Sequence, residues 1–522
     1  MSSKQLLYIA LVVLVILGAG AFRFARLDLR PMHGDEANQA VKVGRLLDKG
    51  EYAYDPVEHH GPTLYYATLP VFRLFGARHF ADTTEVMYRV VPACFGLGLL
   101  VLLLFLRGGL GNWAVFWAML LTAVSNPMVY YSRYFIQEPM LILFACGLIV
   151  FGWRYYRTRR LSYALLSGAC LGLTHATKET CLVIFAAMAG ALVLTWLWGR
   201  WRDEDRATAA TPWNKRHLAA GIILAAAVSV VLYSSFFTHW RGVADSILAF
   251  TTYFRRAGGA GSAGIHDKPW HYYLALLAYT HREAGPRWSE AVPLLLGVVG
   301  MISALRRRDN DGHEGDPALL RFLAFYTILT TICYAIIPYK TPWNLLVFWQ
   351  PWLVLAGVGV MTLLRRMRWL PAQTWFVCLL VFFFWQLSDQ TWRSNFQYPA
   401  DVRNPYVYAH TTTAIRRLTG RLDDLAAVSP KGKALRINVI SPTADYWPLP
   451  WYLRTFTAVG YYNQIPDNPD VNVIIASPLL KDSLPPALKG DYFREIGALR
   501  PNALLHVYIE RGLWDAFMDT RR

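Results

Sequence analysis

Four short polar clusters in this 522-residue chain have residue types suited to acid–base and phosphate chemistry. They are His33-Gly34-Asp35-Glu36; Tyr131-Ser132-Arg133-Tyr134 followed by Gln137-Glu138; His175-Ala176-Thr177-Lys178-Glu179; and Tyr339-Lys340-Thr341-Pro342-Trp343-Asn344. A fifth cluster reads His59-His60-Gly61-Pro62. A carboxylate placed near several cations suits a reaction in which a hydroxyl is activated by a general base while a departing phosphate is stabilised by Arg and Lys. A phosphate is a weak base, so its departure needs charge stabilisation rather than a strong acid. Expulsion of an alkoxide from a glycoside would instead require a second carboxyl as acid. One base with a cationic clamp therefore points to a sugar carried on a lipid phosphate.

Each cluster also has a plainer reading. Arg133 or Lys340 alone could snorkel to the headgroup level, and Lys178-Glu179 could be a simple charge pair. Asp35 and Glu36 suit the first turn of any helix, where acidic groups complement the dipole. His59 and His60 are adjacent and project apart, which favours hydrogen bonding over a shared metal. What outweighs these readings is position: all the clusters fall at one side of the elements that must carry them.

Those elements are membrane helices. Hydrophobic residues make up 55% of the chain and charged residues only 17%, well below the roughly one quarter usual in soluble domains. Apolar runs lie near 5–22, 87–106, 113–125, 137–153, 161–176, 179–198, 218–236, 291–305, 318–337, 343–363 and 370–388, predicting about eleven transmembrane helices. The run at 5–22 lacks a small-x-small cleavage site and reads as the first span rather than a signal peptide.

With a cytoplasmic N-terminus, the even-numbered connections hold Arg107, then Arg154 to Arg160, then Arg200, Arg202, Arg206, Lys215 and Arg216, then Arg306 to Arg308, and finally Arg365, Arg366 and Arg368. The short odd-numbered connections hold only Arg133, Lys178 and Lys340. That is the positive-inside pattern. The formal net charge of +17 thus reports topology rather than a nucleic-acid partner, and a multi-pass protein of the cell (inner) membrane is expected. The polar clusters and the C-terminal region then lie outside the cytoplasm.

The expected fold class is mainly α. Residues 1–389 form a transmembrane domain whose large first outer loop, 23–86, carries two interface helices at 36–49 and 64–75. Residues 390–522 form a small α/β extracytoplasmic domain, with strands expected at 437–440, 471–476 and 504–509. The glycine-rich 258–264 segment reads as a mobile loop. All six cysteines fall in apolar stretches and read as buried hydrophobes rather than disulfides.

The ordered clusters resemble the GT-C superfamily of polytopic glycosyltransferases, and within it the protein-mannosyltransferase-like glycosyltransferase family 39. The likeness is carried by Gly34-Asp35-Glu36, His60-Gly61-Pro62, Tyr131-Ser132-Arg133 with Glu138, Lys178-Glu179, Lys340-Thr341-Pro342-Trp343-Asn344 and Tyr446-Trp447-Pro448-Leu449-Pro450-Trp451-Tyr452. It is strongest to a bacterial and archaeal branch described as flippase-activity-associated. The resemblance implies an extracytoplasmic transferase with a polyprenyl-phosphate sugar donor, inversion at the anomeric carbon, and Asp35 as catalytic base assisted by Glu36. Arg133, Lys178 and Lys340 are candidates for the donor phosphate, chosen by chemistry and side of the membrane. His60, Tyr134, Glu138, Glu179, Trp343 and Asn344 are candidates for sugar or acceptor. No cofactor is required by the sequence; a divalent cation is compatible with the carboxylates, but no liganding pattern specifies a metal. The acceptor is left open among glycan, lipid and protein. The rival expectation is a flippase of lipid-linked glycans, or an accessory to one, that binds the same phosphate without chemistry.

Overall fold

The computed structural model describes residues 2–57, 60–202, 213–257, 266–307, 315–501 and 503–521. A helix forms at each of the eleven apolar runs. They are α1 (Ser3–Phe24), α4 (Glu85–Leu103), α6 (Asn112–Val124), α8 (Glu138–Thr158), α9 (Leu161–His175), α10 (Cys181–Trp201), α11 (Lys215–Tyr233), α14 (Ala291–Arg306), α15 (Pro317–Ile336), α16 (Leu346–Arg366) and α17 (Leu370–Trp392). Among the described residues, eight helices are long and apolar enough to cross a membrane unaided. A ninth span arises if α6 and the following α7 (Asn126–Ser132), bent by 60°, are taken together. Helices α9 and α14 are shorter, at 15 and 16 residues.

Close helix approach is bought by small residues, as expected where lipid supplies no hydrophobic drive between helices. The tightest crossing is α14 on α16. A Cβ on Gly300 would run into the Leu355 carbonyl, and one on Gly359 into the Leu296 carbonyl. The short helix α5 (Arg107–Leu110) follows α4. Around it the basic ends of the bundle collect: Arg154 donates to the Phe105 carbonyl, Arg202 to that of Arg306, and Arg157 pairs with Asp316.

The opposite end holds the large first loop. Its helices α2 (Gly34–Lys49) and α3 (Thr63–Phe75) form over the two expected segments. Helix α2 buries Ala37, Ala40, Val43 and Leu46 in one cluster with Leu64 and Phe72 of α3 and Tyr88 of α4. The same end carries α12 (Arg241–Ala257), α13 (Tyr272–Ala278) and a short hairpin, β1 (Thr280–His281) with β2 (Arg287–Trp288). The 258–264 segment and His59 lie outside the described residues.

After α17, residues 398–414 run back against the bundle, where Tyr406 and Val407 join its core. The α/β unit then contains α18 (Ile415–Val428), β3 (Arg436–Ile440), α19 (Leu449–Tyr452), β4 (Ala458–Tyr462), β5 (Val473–Ala476), β6 (Tyr492–Arg500), β7 (Ala503–Glu510) and α20 (Arg511–Asp519). Its sheet order is β4-β3-β5-β7-β6, with β4, β3 and β5 parallel and β7 and β6 antiparallel. The three expected strands are β3, β5 and β7, the inner three. The edge strands β4 and β6 were not legible: glycine and charge interrupt their alternation, and an edge strand needs no continuous apolar face.

Candidate active site

The N-terminus of α2 separates two adjacent carboxylates. His33 caps the helix, its Nδ1 accepting the Asp35 N–H at 3.0 Å, while its own N–H donates to Glu36 Oε2 at 3.0 Å. Consecutive helical residues point about 100° apart, so one carboxylate faces the core and the other does not. Glu36 is 0% exposed and receives Arg89 Nε and Nη2, both at 2.8 Å, and the Phe135 N–H at 2.9 Å. Burial alone would raise its pKa, but Arg89, Arg30 and these hydrogen bonds hold the carboxyl down to about 2. The Asp35 side chain is 55% exposed, and its carboxylate lies 3.8 Å from His33 Nδ1, the nitrogen that already accepts the Asp35 N–H.

Asp35 faces a cavity of about 420 Å³, within the range of small-molecule sites. Asn38, Gln39, His60, Gln137, Glu138, Lys178, Glu179, Thr341, Trp343 and Asn344 supply its polar wall; Leu182, Val183, Phe250 and Ile337 supply an apolar one. Lys178 pairs with Glu138. Glu179 binds His60 Nδ1 at 2.8 Å and accepts the Tyr54 hydroxyl at 2.8 Å. Burial pushes the Glu179 pKa up, but His60 and Tyr54 outweigh it and the carboxyl ends below its ordinary value. Gly61 explains how His60 arrives there. A Cβ at Gly61 would overlap the Ala176 carbonyl, so only glycine lets this loop seat on residues 176–177 beside Glu179.

Seven of the expected residues therefore share one cavity: Asp35, His60, Glu138, Lys178, Glu179, Trp343 and Asn344. Four others do not line it, and each has a physical reason. Glu36 is consumed by Arg89 inside the protein, so it positions α2 and does not reach an acceptor. Arg133 donates to the Phe22, Ala25 and Arg26 carbonyls at 2.8, 2.7 and 3.1 Å. Lys340 donates to the carbonyls of Ile337 and, at 3.2 Å, Lys268. The last carbonyls of a helix lack intrahelical partners, so both cations cap helix C-termini, of α1 and α15, instead of facing a phosphate. Tyr134 lies beneath the cavity, its ring stacked by the Arg30 guanidinium at 3.6 Å and beside His33.

Asn38 and Gln39 were not anticipated, although a signal existed. They follow Asp35 by three and four residues, which places all three on one helix face. The C-terminal region also reaches the site. The Tyr408 carbonyl meets His33 Nε2 at 3.0 Å, and the Tyr452 hydroxyl accepts the Met32 N–H at 3.0 Å. Trp447 packs on Gly34, and Arg500 lies close enough to feel the charge of Asp35. Among the described residues, no group of three or more His, Cys, Asp or Glu is arranged to hold a metal ion.

Comparison with known proteins bears on the fold that carries this cavity. Residues 67–243 match the family model for dolichyl-phosphate-mannose-protein mannosyltransferase. A search of curated proteins finds no match. Among solved structures, ArnT from Cupriavidus metallidurans bound to undecaprenyl phosphate superposes with a TM-score of 0.63 at 15% identity, covering 98% of this chain and 99% of that one. The archaeal oligosaccharyltransferase AglB from Archaeoglobus fulgidus, in complex with an inhibitory peptide and a dolichol-phosphate, gives 0.58 at 10% identity, covering 100% of this chain and 78% of that one. The chain thus has the GT-C membrane fold with a small C-terminal sheet region, and over residues 67–243 it resembles the mannosyltransferase family model.

Proposed function

We propose that this protein transfers a sugar from a polyprenyl-phosphate donor to an acceptor hydroxyl, with Asp35 as general base. The observation that carries this reading is the division of labour among the cavity's carboxylates. Glu138 is held by Lys178 and Glu179 by His60 and Tyr54, while Asp35 alone is exposed and makes no close ion pair. In a single displacement, Asp35 takes the proton of the acceptor hydroxyl as its oxygen attacks the anomeric carbon. The bond from that carbon to the phosphate oxygen breaks on the opposite face, giving inversion. The departing phosphate needs positive charge, and Lys178 is the lysine that the cavity offers. The apolar wall of Leu182, Val183, Phe250 and Ile337 suits the first units of a lipid chain.

ArnT and AglB, which share the fold, were captured with undecaprenyl phosphate and dolichol-phosphate, which supports a lipid-phosphate donor here. The arginines gathered at the far end of the bundle support an extracytoplasmic site by the positive-inside rule. The test is Asp35→Asn in the purified, reconstituted protein, with glycolipid and glycan products read by mass spectrometry. Loss of transfer with intact insertion is expected. Full transfer by the variant would remove Asp35 as base, and lipid translocation without any transfer by the natural protein would favour a flippase.

A further inference from the structure

Three buried polar side-chain atoms among the described residues of the cavity wall, Gln137 Nε2, Thr341 Oγ1 and Tyr334 Oη, make no hydrogen bond within the protein. Gln137, in the turn between α7 and α8, is 1% exposed, and its Nε2 makes no hydrogen bond. Thr341, just before the turn that opens α16, is 3% exposed, and its Oγ1 makes none either. Both line the cavity. Local backbone explains why neither is satisfied from within. Buried threonines in the helices here, such as Thr122, Thr174 and Thr327, turn their hydroxyls back onto the carbonyl four residues earlier. Thr341 has an extended backbone, φ −114° and ψ 146°, and has no such carbonyl beneath it. Gln137 occupies the N-cap of α8 but its side chain does not cap the helix. Buried polar groups are nearly always paired, and several orphans in one cavity wall, two of them held there by local backbone, call for a ligand with complementary hydroxyls.

The charges nearby narrow that ligand. Lys178 is compensated by Glu138, and Glu179 by His60 and Tyr54. This part of the wall is therefore balanced within itself, and Asp35, the cavity carboxylate without a close ion pair, is reserved by the transfer reading for the acceptor hydroxyl.

We propose that Gln137 and Thr341 are specificity-determining residues that hydrogen-bond the ring hydroxyls of an uncharged sugar on the donor lipid. The proposal rests on the transferase reading above and deepens it. A site built to pair a substrate hydroxyl rejects an analogue lacking it more sharply than an apolar pocket rejects a missing methylene, because the site's own polar groups are then stranded.

The test uses full-length protein in lipid nanodiscs and four probes: undecaprenyl phosphate alone, undecaprenyl-phosphate-mannose, its ring-deoxy analogues, and undecaprenyl phosphate bearing a 4-amino-4-deoxy pentose. Binding is compared for the natural protein, Gln137→Met and Thr341→Val. The expected result is unchanged affinity for the bare lipid phosphate in both variants and a loss of about tenfold or more for the mannosyl lipid. In the natural protein at least one deoxy analogue should show the same loss, a readout that stands even if a variant fails to fold. Equal binding of the mannosyl lipid by variants and natural protein, which would mean that water serves these groups, overturns the proposal. So does an equal loss for both probes, or tighter binding of the amino sugar. Selective hexose binding with no transfer to any hydroxyl acceptor would defeat the transferase reading while the sugar seat stands. Transfer that is indifferent to both residues would defeat the seat alone.

Discussion

Arg89 grips Glu36 with two nitrogens at 2.8 Å, and this buried pair leaves Asp35 as the one of two neighbouring carboxylates that faces the cavity. The same guanidinium donates to the Leu27, Arg30 and Pro31 carbonyls at 2.8, 2.7 and 3.0 Å. It thereby ties the chain leaving α1 to the first turn of α2. Glu36→Gln should strip Arg89 of its counter-charge inside the protein and cost about 3–5 kcal/mol. Asp35→Asn, on the exposed side of the same turn, should cost little. Thermal unfolding in detergent, followed by size-exclusion fluorescence, separates the two; equal melting temperatures would contradict the assignment.

The pH dependence of stability follows from the same pair. The folded Glu36 carboxyl is depressed to about 2 from an ordinary value of 4.5. Its contribution is therefore complete above about pH 4.5 and is lost as pH falls toward 2, because the unfolded chain takes up the proton first. The melting temperature of the natural protein should drop across that window more steeply than that of Glu36→Gln. Parallel curves would show that Glu36 is not the group responsible.

Lys178 and Glu138 should behave as a coupled unit. Lys178→Met leaves a buried carboxylate unpaired, a change worth about 3–5 kcal/mol, whereas replacing both partners with methionine should recover much of that stability. Transfer should remain absent in both, since the phosphate has lost its cavity lysine. A double-mutant cycle on melting temperature, run alongside the transfer assay, tests both halves. Recovery of activity in the double variant would exclude Lys178 from phosphate stabilisation.

Gly61→Ala should displace the loop that carries His60. The new methyl meets a backbone carbonyl rather than a flexible side chain, so the loop itself has to move, at about 1–3 kcal/mol. Donor affinity should fall more than stability does. A variant with native affinity would show that His60 does not need its place against Glu179.

Tyr452→Phe tests the reach of the C-terminal unit. It removes the acceptor for the Met32 N–H, the residue before the α2 cap, and an unpaired buried donor costs about 1–3 kcal/mol. Because Asp35 is positioned through this turn, kcat should decline with little change in KM. An unchanged kcat would mean that the turn is held without the C-terminal unit.

The sequence by itself determined a great deal here. Apolar runs marked eleven helices of the bundle, since a helix facing lipid must be apolar along its length. The short polar motifs marked the end of the bundle that holds the cavity, and the strands β3, β5 and β7 announced themselves by runs of mostly apolar, β-branched and aromatic side chains. Seven of eleven named site residues proved to share a cavity because each sits in a turn or helix end at the same end of the bundle.

Residue type could not tell which charges were already spent, and only the tertiary structure decided that. Arg133 and Lys340 look like phosphate ligands in one dimension, but each turns onto helix carbonyls that no sequence displays as vacant. Asp35 and Glu36 look alike until the 100° step of α2 sends one to Arg89 and the other to the cavity. Whether a charged side chain reaches the cavity depends on the partners it meets inside the protein, and most of those, such as Arg89 for Glu36 or the end of α1 for Arg133, come from distant segments of the chain.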